Sequence, residues 1–326
     1  MSAGKPRTGK RPVQWMRLLA DYVGMGFVLV GLIVLFSLKC PYFFSSRTFL
    51  AIANEMIPAI TVVAVGMTFV LVIAQIDLSV GSVLSLSSAV VGSCLAKASM
   101  PLWLSVCACL ATGLICGMAN GFVTIRWKLP SFIVTLGMLE MARGGAYLVT
   151  GSQTQYIGKA VAGVAGASVG GLSLAFILAV SAVVIGQIIL SYTVFGRYMI
   201  AIGTNEDAVR LSGIDTRWIK FGVFAICGFL AGVAGLITTS QFQAADPNAG
   251  GGMELQAIAA VVIGGTSLMG GRGSVVNSFF GVLIIAVLGT GLTQMGAGEP
   301  TKRLITGLVI VAAVIVDHYR GRLTGT

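Results

Sequence analysis

Met56–Ala96 reads MIPAITVVAVGMTFVLVIAQIDLSVGSVLSLSSAVVGSCLA. One charged residue, Asp77, interrupts it. A membrane-crossing helix needs about 20 mostly apolar residues, because the hydrocarbon core is about 30 Å thick. The runs 56–76 and 78–96 each come close to that length, with Asp77 between them and no loop to spare. An ionisable residue in such a place is costly, and by default it is functional. Two readings of Asp77 follow: capping a broken helix, with Ser79 and the amides near Gly81 in the turn, or touching a substrate directly.

Outward from this stretch the same pattern repeats. Further runs without Asp, Glu, Lys or Arg cover 22–38, 98–125, 129–139, 144–158, 160–196, 221–245, 255–271, 273–298 and 304–316. The first third of 160–196 is small and Gly-rich, which predicts a loop or short re-entrant piece before a helix at about 172–195. The runs 129–139 and 144–158 are short. Glu140 and Arg143 separate them, three apart and on one helix face, so the two merge into one span with an internal ion pair. Ten helices result. Ten-residue alternating segments, the mark of a membrane barrel, do not occur, and lipid admits only helices or closed barrels. The expected fold is an all-α membrane protein with an internal repeat and broken helices.

Composition agrees. Of 326 residues, 56% are hydrophobic and 10% charged, against about 25% charged in soluble domains. Two water-facing domains could not be coated, and disorder has the opposite signature. The net charge of +10 needs a separate account. With both termini in the cytoplasm, fourteen of the 21 basic residues lie inside, six outside, and Arg143 within a span. That bias follows the positive-inside rule, so nucleic-acid binding is not needed to explain the charge. The expected division is a basic cytoplasmic segment 1–17, one membrane domain 18–316 with a cytoplasmic segment 196–220, and a cytoplasmic tail 317–326. The basic start precedes an apolar run without a convincing cleavage site, which reads as an uncleaved first helix.

Several lures can be set aside. Gly4 to Lys10 spells a P-loop pattern, but Arg11 replaces the magnesium-holding hydroxyl and no strand precedes it. The six cysteines read as packing residues, and the lone histidine, His318, sits in the tail. No metal site, no cofactor and no catalytic constellation is expected, so the chain is not read as an enzyme.

Glycine is patterned. Gly113, Gly117 and Gly121, and again Gly228 and Gly232, repeat at four-residue spacing, which lets helix backbones approach closely in lipid. Gly250–Gly252, Gly264–Gly265 and Gly270, Gly271 and Gly273 cluster where a helix would break, and such breaks are tolerated only if buried or lining a cavity. Ala74–Ser82 and Gly252–Ile258 are weakly alike, each an acidic residue opening an apolar run. Asp246-Pro247-Asn248 is a turn cluster on the outer side. Glu254 falls in the first turn of the following helix, where the dipole favours it. Asp77, Ser79, Asp246 and Glu254 are therefore the pathway or gate candidates.

The longest polar segment between spans, GRYMIAIGTNEDAVRLSGIDTRWIK (196–220), predicts a short helix. Thr204 or Asn205 caps it, Glu206 and Asp207 fill its first turn, Arg210 lies near its end and Gly213 stops it. It suits docking of another protein, or a solvated connector.

IDLSVGS (76–82), FGRYMIAIGTNEDAVRLSGI (195–214) and ELQAIAAVVIGGTSLMGGRGSV (254–275) together closely resemble the permease subunit of ribose-type ABC sugar importers. The resemblance runs from about Phe44 to Asp317. It implies a bacterial inner-membrane permease that forms the pathway as a dimer. It further implies an ATPase subunit with two fused nucleotide-binding cassettes docked inside, and a periplasmic sugar-binding protein outside. The resemblance assigns ATPase coupling to the 204–212 helix, with Asn205, Glu206, Ala208, Arg210, Leu211 and Gly213 as the coupling residues. Thr204 and Val209 depart mildly from the family pattern, and Gln75 replaces a usual glycine, adding bulk at the break. Which sugar is carried, and whether the permease pairs with itself or a similar chain, stay open. Trp103, Tyr147, Tyr156 and Phe242 could stack on a sugar or anchor at the interface. An ion-coupled secondary transporter is the alternative class, although only Asp77, Glu140 and Arg143 could serve it as relays.

Overall fold

The computed structural model describes residues 11–163 and 167–323. The P-loop look-alike with Lys5, Arg7 and Lys10, part of the Gly-rich stretch (164–166) and the last three residues lie outside these. Helix α1 spans Arg11–Lys39. Helix α2, Ser46–Ala51, passes through a π-helical turn, Ile52–Met56, into α3, Ile57–Val72. There follow α4 (Val80–Ala96), α5 (Leu102–Trp127) and α6 (Ser131–Thr150). After a loop that carries three two-residue strands come α7 (Leu174–Tyr192), α8 (Val194–Leu211) and α9 (Thr216–Phe242). The chain closes with α10 (Met253–Ile263), α11 (Val275–Gln294) and α12 (Glu299–Leu323).

Each uncharged run holds a helix, and 129–158 folds around the single helix α6. Among the described residues, six stretches are long and apolar enough to cross a membrane: Ser46–Val72, α5, α6, α7, α9 and α11. Gly24–Lys39, α4 and α10 are shorter apolar helices. The eleven residues of α10 reach about 16 Å, half the hydrocarbon core.

Among the described residues, strands are confined to two-residue pieces. β1 (Gln155–Tyr156) pairs antiparallel with β4 (Ala244–Ala245), and β2 (Ser168–Val169) with β3 (Leu172–Ser173). The end of the Gly-rich stretch is thus a small hairpin leading into α7. Asn54, in the π-helical turn, fastens that hairpin: its Nδ2 donates to Gly171 O at 3.0 Å and its Oδ1 accepts from Ser173 N at 2.8 Å.

Helix α3 is apolar all round and every one of its residues is buried, as expected of a central helix. Around it pack α7, α9, α10 and α11. Polar ties cross this core: Thr68 Oγ1 donates to Ala64 O and meets Ser278 Oγ on α11, and Thr239 Oγ1 on α9 meets Ser88 Oγ on α4. Helices α5 and α9 meet backbone to backbone. A Cβ at Gly113 would overlap Gly228 and Gly232, and one at Gly117 would overlap Phe224 and Gly228. Gly121 closes the row against Phe221 and Phe224.

Two expectations need correction. The helix expected at 172–195 stops at Tyr192, because Thr193 turns extended and its side chain accepts from Gly196 N at 3.1 Å. Gly196 fits there against the carbonyls of Ile189 and Leu190, so the 196–220 segment begins inside α8. The Glu140–Arg143 ion pair does not form among the described residues. Arg143 Nε donates instead to Ser82 Oγ on α4 at 3.2 Å, a neighbour that helix spacing alone could not reveal.

Just past the end of α3 stands Ala74, whose φ is +56°. Ala74 N bonds Leu71 O at 2.9 Å and Gln75 N bonds Val70 O at 3.1 Å, the paired return bonds of a Schellman stop. The strained position is therefore Ala74, not Gln75. Ala74→Gly should raise thermal stability in detergent by up to about 1 kcal/mol, because a left-handed alanine carries a Cβ penalty. Gly228→Val should lower it by about 1–3 kcal/mol by wedging α5 from α9.

Candidate functional site

The chain between α3 and α4 is a break sealed inside protein. Its amides find partners one by one. Ile76 N donates to Ser131 Oγ at 3.0 Å, and Leu78 N to Thr135 Oγ1 at 3.1 Å, both on α6. Ser79 N and Ser79 Oγ both donate to Asp77 Oδ1, at 2.9 and 2.6 Å. Ser79 Oγ in turn accepts from Asn120 Nδ2 on α5 at 2.9 Å. Asp77 and Ser79 are each 1% exposed. The residue in the N-cap position of α4 is Ser79, which makes no side-chain cap bond. Asp77 thus holds the turn two residues earlier than a cap would.

Two helix N-termini converge here. A Cβ at Gly81, in the first turn of α4, would overlap Glu254 Oε2 and Gly250 O. Gly250 N donates to Ser85 Oγ at 2.9 Å. Glu254, in the first turn of α10, is buried, and the positive ends of two helix dipoles favour the two carboxyl groups. Asp77 Oδ2, Asn120 Oδ1 and Glu254 Oε2 are buried without a hydrogen-bond partner among the described residues. Asp246 stays apart in its own turn, its Oδ1 accepting from Asn248 N at 2.9 Å.

A second feature stands at the far end of α8. Asn205 is extended (φ −162°, ψ 96°), and its Oδ1 accepts from Ala208 N at 3.0 Å. It therefore starts a new short helix, and of the two capping candidates Asn205 is the one used. Gly213, with φ +82°, ends that helix: Gly213 N bonds Arg210 O at 3.0 Å and Ile214 N bonds Val209 O at 3.4 Å. Glu206 clasps α9, accepting from Lys220 Nζ at 2.5 Å and Thr216 Oγ1 at 3.0 Å. Outward stand Asp207 and Arg210, 3.6 Å apart, and Leu211, which is 90% exposed. Gly203, just before the short helix, is pressed against Val72 O and Gly271 N. Gly271 N itself bonds Val72 O at 2.9 Å. The middle of α8, just before its break at Asn205, thus touches both the end of α3 and the loop between α10 and α11.

Residues 49–314 match the family model described as the branched-chain amino acid transport system / permease component. The chain belongs to this permease family. Among relatives, the ribose import permease RbsC of Haemophilus influenzae is 39% identical over 90% of this chain and 92% of its own. RbsC of Escherichia coli K12 is 36% identical over 89% and 91%. The fructose import permease FrcC of Rhizobium meliloti is 32% identical over 85% and 79%. No solved structure matches the permease.

In the permease a cavity of about 770 Å³ opens beside the short helix, lined by Gln75, Lys128, Asn205, Glu206, Arg210 and Lys220 among others. It brings Gln75, at the break, and the short helix to one space. The structure thus gathers the expected residues into two groups. Asp77, Ser79 and Glu254 lie with Gly81 and Gly250, while Asn205, Glu206, Ala208, Arg210, Leu211 and Gly213 form the short helix and its ends. Sequence reading missed Asn120, Ser131 and Thr135. Ser131 and Thr135 are four apart on an apolar helix, which places both hydroxyls on one face, and that was their only signal.

Replacing Asp77 tests the seal. Asp77→Asn keeps an acceptor for Ser79, whereas Asp77→Leu leaves its amide and hydroxyl unpaired, at about 1–3 kcal/mol. The melting temperature in detergent should fall more for Asp77→Leu than for Asp77→Asn. Equal losses would mean that the carboxyl oxygen does not hold the turn.

Proposed function

We propose that the permease forms the translocation pathway of an ATP-driven importer for a monosaccharide, ribose or a related sugar. The names of its relatives, ribose and fructose import permeases, support that substrate class. In this reading a separate ATPase with fused nucleotide-binding cassettes docks on residues 204–213, and a periplasmic binding protein delivers the sugar. A second permease copy completes the pathway. The permease itself hydrolyses nothing and holds no cofactor. One membrane domain, 18–316, crosses a bacterial inner membrane ten times with both termini in the cytoplasm.

The observation that carries the reading is the short helix with its two kinds of contact. Its outer side offers Leu211 and Arg210 to a partner, and its base, through Gly203, bears on backbone at the end of α3 and in the α10–α11 loop. A partner that moves the helix pushes on the ends of α3 and of the α10–α11 loop together. The Glu206 clasp to Lys220 and Thr216 keeps the short helix from swinging free of α9.

Leu211→Asp puts a charge in the docking surface and should weaken retention of the ATPase at least about tenfold. Glu206→Lys sets like charges against Lys220. Gly213→Pro removes an N–H that bonds Arg210 O and cannot adopt a positive φ. Both should abolish ribose uptake while the permease stays in the membrane. Retained ATPase binding and uptake in all three variants would overturn the docking assignment. Uptake stopped by an uncoupler but not by ATP depletion would favour the ion-coupled alternative.

A further inference from the structure

Helix α6 is the least buried of the six membrane-length helices, and its open face is not uniformly apolar. Gly137, Glu140 and Gly144 follow one another on that face, all exposed. Glu140 lies nine residues into α6, about 14 Å along the axis and so near the middle of a core about 30 Å thick. It makes no ion pair among the described residues. A carboxyl group at that depth belongs against water or protein rather than lipid. A Cβ added at Gly137 or Gly144 would meet nothing within 4 Å, so the space on either side of Glu140 is open.

The polar line continues up the helix. Arg143, half-buried, commits one N–H to Ser82 Oγ at 3.2 Å, and its other donors make no hydrogen bond among the described residues. One turn further, Tyr147 OH donates to Asn248 Oδ1 at 2.6 Å. Ser82 belongs to the first turn of α4, and Asn248 to the turn that leads into α10. Acceptor, donor and aromatic ring thus run along one side of the junction between the two helix N-termini.

We infer that Glu140, Arg143 and Tyr147 form a contact track for a neutral polyhydroxylated solute, a sugar, inside the translocation pathway. Sugar hydroxyls donate to the Glu140 carboxyl and accept from the Arg143 guanidinium, and the two glycines let a ring approach the helix. The inference rests on the proposed transport function and names residues for it. It requires that this face of α6 be wet, unlike the apolar outer face of α7, where Ile185 is 57% exposed.

The test uses Gly137→Cys, Gly144→Cys and Ile185→Cys in the full permease with its ATPase in native membranes. The probe is a charged, membrane-impermeant thiol reagent, read over the background of the unaltered chain, whose Cys107 is exposed. Labelling of both α6 cysteines but not of Ile185→Cys is expected, slowed by ribose, arabinose or fructose. Unreactive α6 cysteines, or equal labelling at all three positions, would overturn the track. So would α6 cysteines that only cross-link between two copies, since a second permease then covers the face. Labelling that none of the three sugars slows would overturn the sugar contact. ATP-driven ribose uptake by the unaltered chain is measured in parallel. A wet, protected α6 face without ATP dependence would leave the track standing and remove the proposed coupling.

Discussion

Where the chain turns between α3 and α4, backbone groups leave their helix without water to receive them. In an apolar surrounding each unpaired group costs several kcal/mol. The protein meets that constraint with side chains from three elements: Asp77 holds Ser79, Asn120 of α5 holds the Ser79 hydroxyl, and Ser131 and Thr135 of α6 receive two amides. The placement of α5 and α6 follows from this demand. Were either helix to slide by a turn, a buried donor would lose its acceptor.

Close backbone packing is the second organising element. Lipid removes the hydrophobic drive for helices to associate, so contact area and small residues take its place. The α5–α9 seam at Gly113, Gly117 and Gly228 is the longest such contact. The junction of Gly81 with Gly250 brings two helix N-termini together, and Gly264 and Gly281 fold α10 onto α11 against Asn277 and Ala260. At each place a methyl group would have to enter space already held by main chain.

What could be read in the sequence was local. Uncharged runs marked the helices because lipid enforces that pattern over about twenty residues. The Asn205 start and Gly213 stop were legible because capping and left-handed turns act within a few residues. What escaped was carried by partners far along the chain. Glu140 and Arg143 satisfied the spacing rule for a pair, yet Ser82, distant in sequence, receives the guanidinium. The hydroxyls of Ser131 and Thr135 looked like any others in an apolar helix. The break at Thr193 had no proline or charge to announce it. Gln187 is a similar case: its Oε1, on α7, accepts from Ser274 Oγ and Val276 N at the start of α11.

The short helix after Asn205 is joined to the membrane helices in two mechanically different ways. Lys220 and Thr216 reach Glu206 through side chains with rotatable bonds, and the Lys220 ammonium is largely buried against it. At Gly203 there is no side chain, and main chain rests on main chain at Val72 and Gly271. That joint has no rotamers with which to absorb a displacement. The short helix is therefore held by one joint made of main chain and one made of side chains, which resist displacement for different physical reasons.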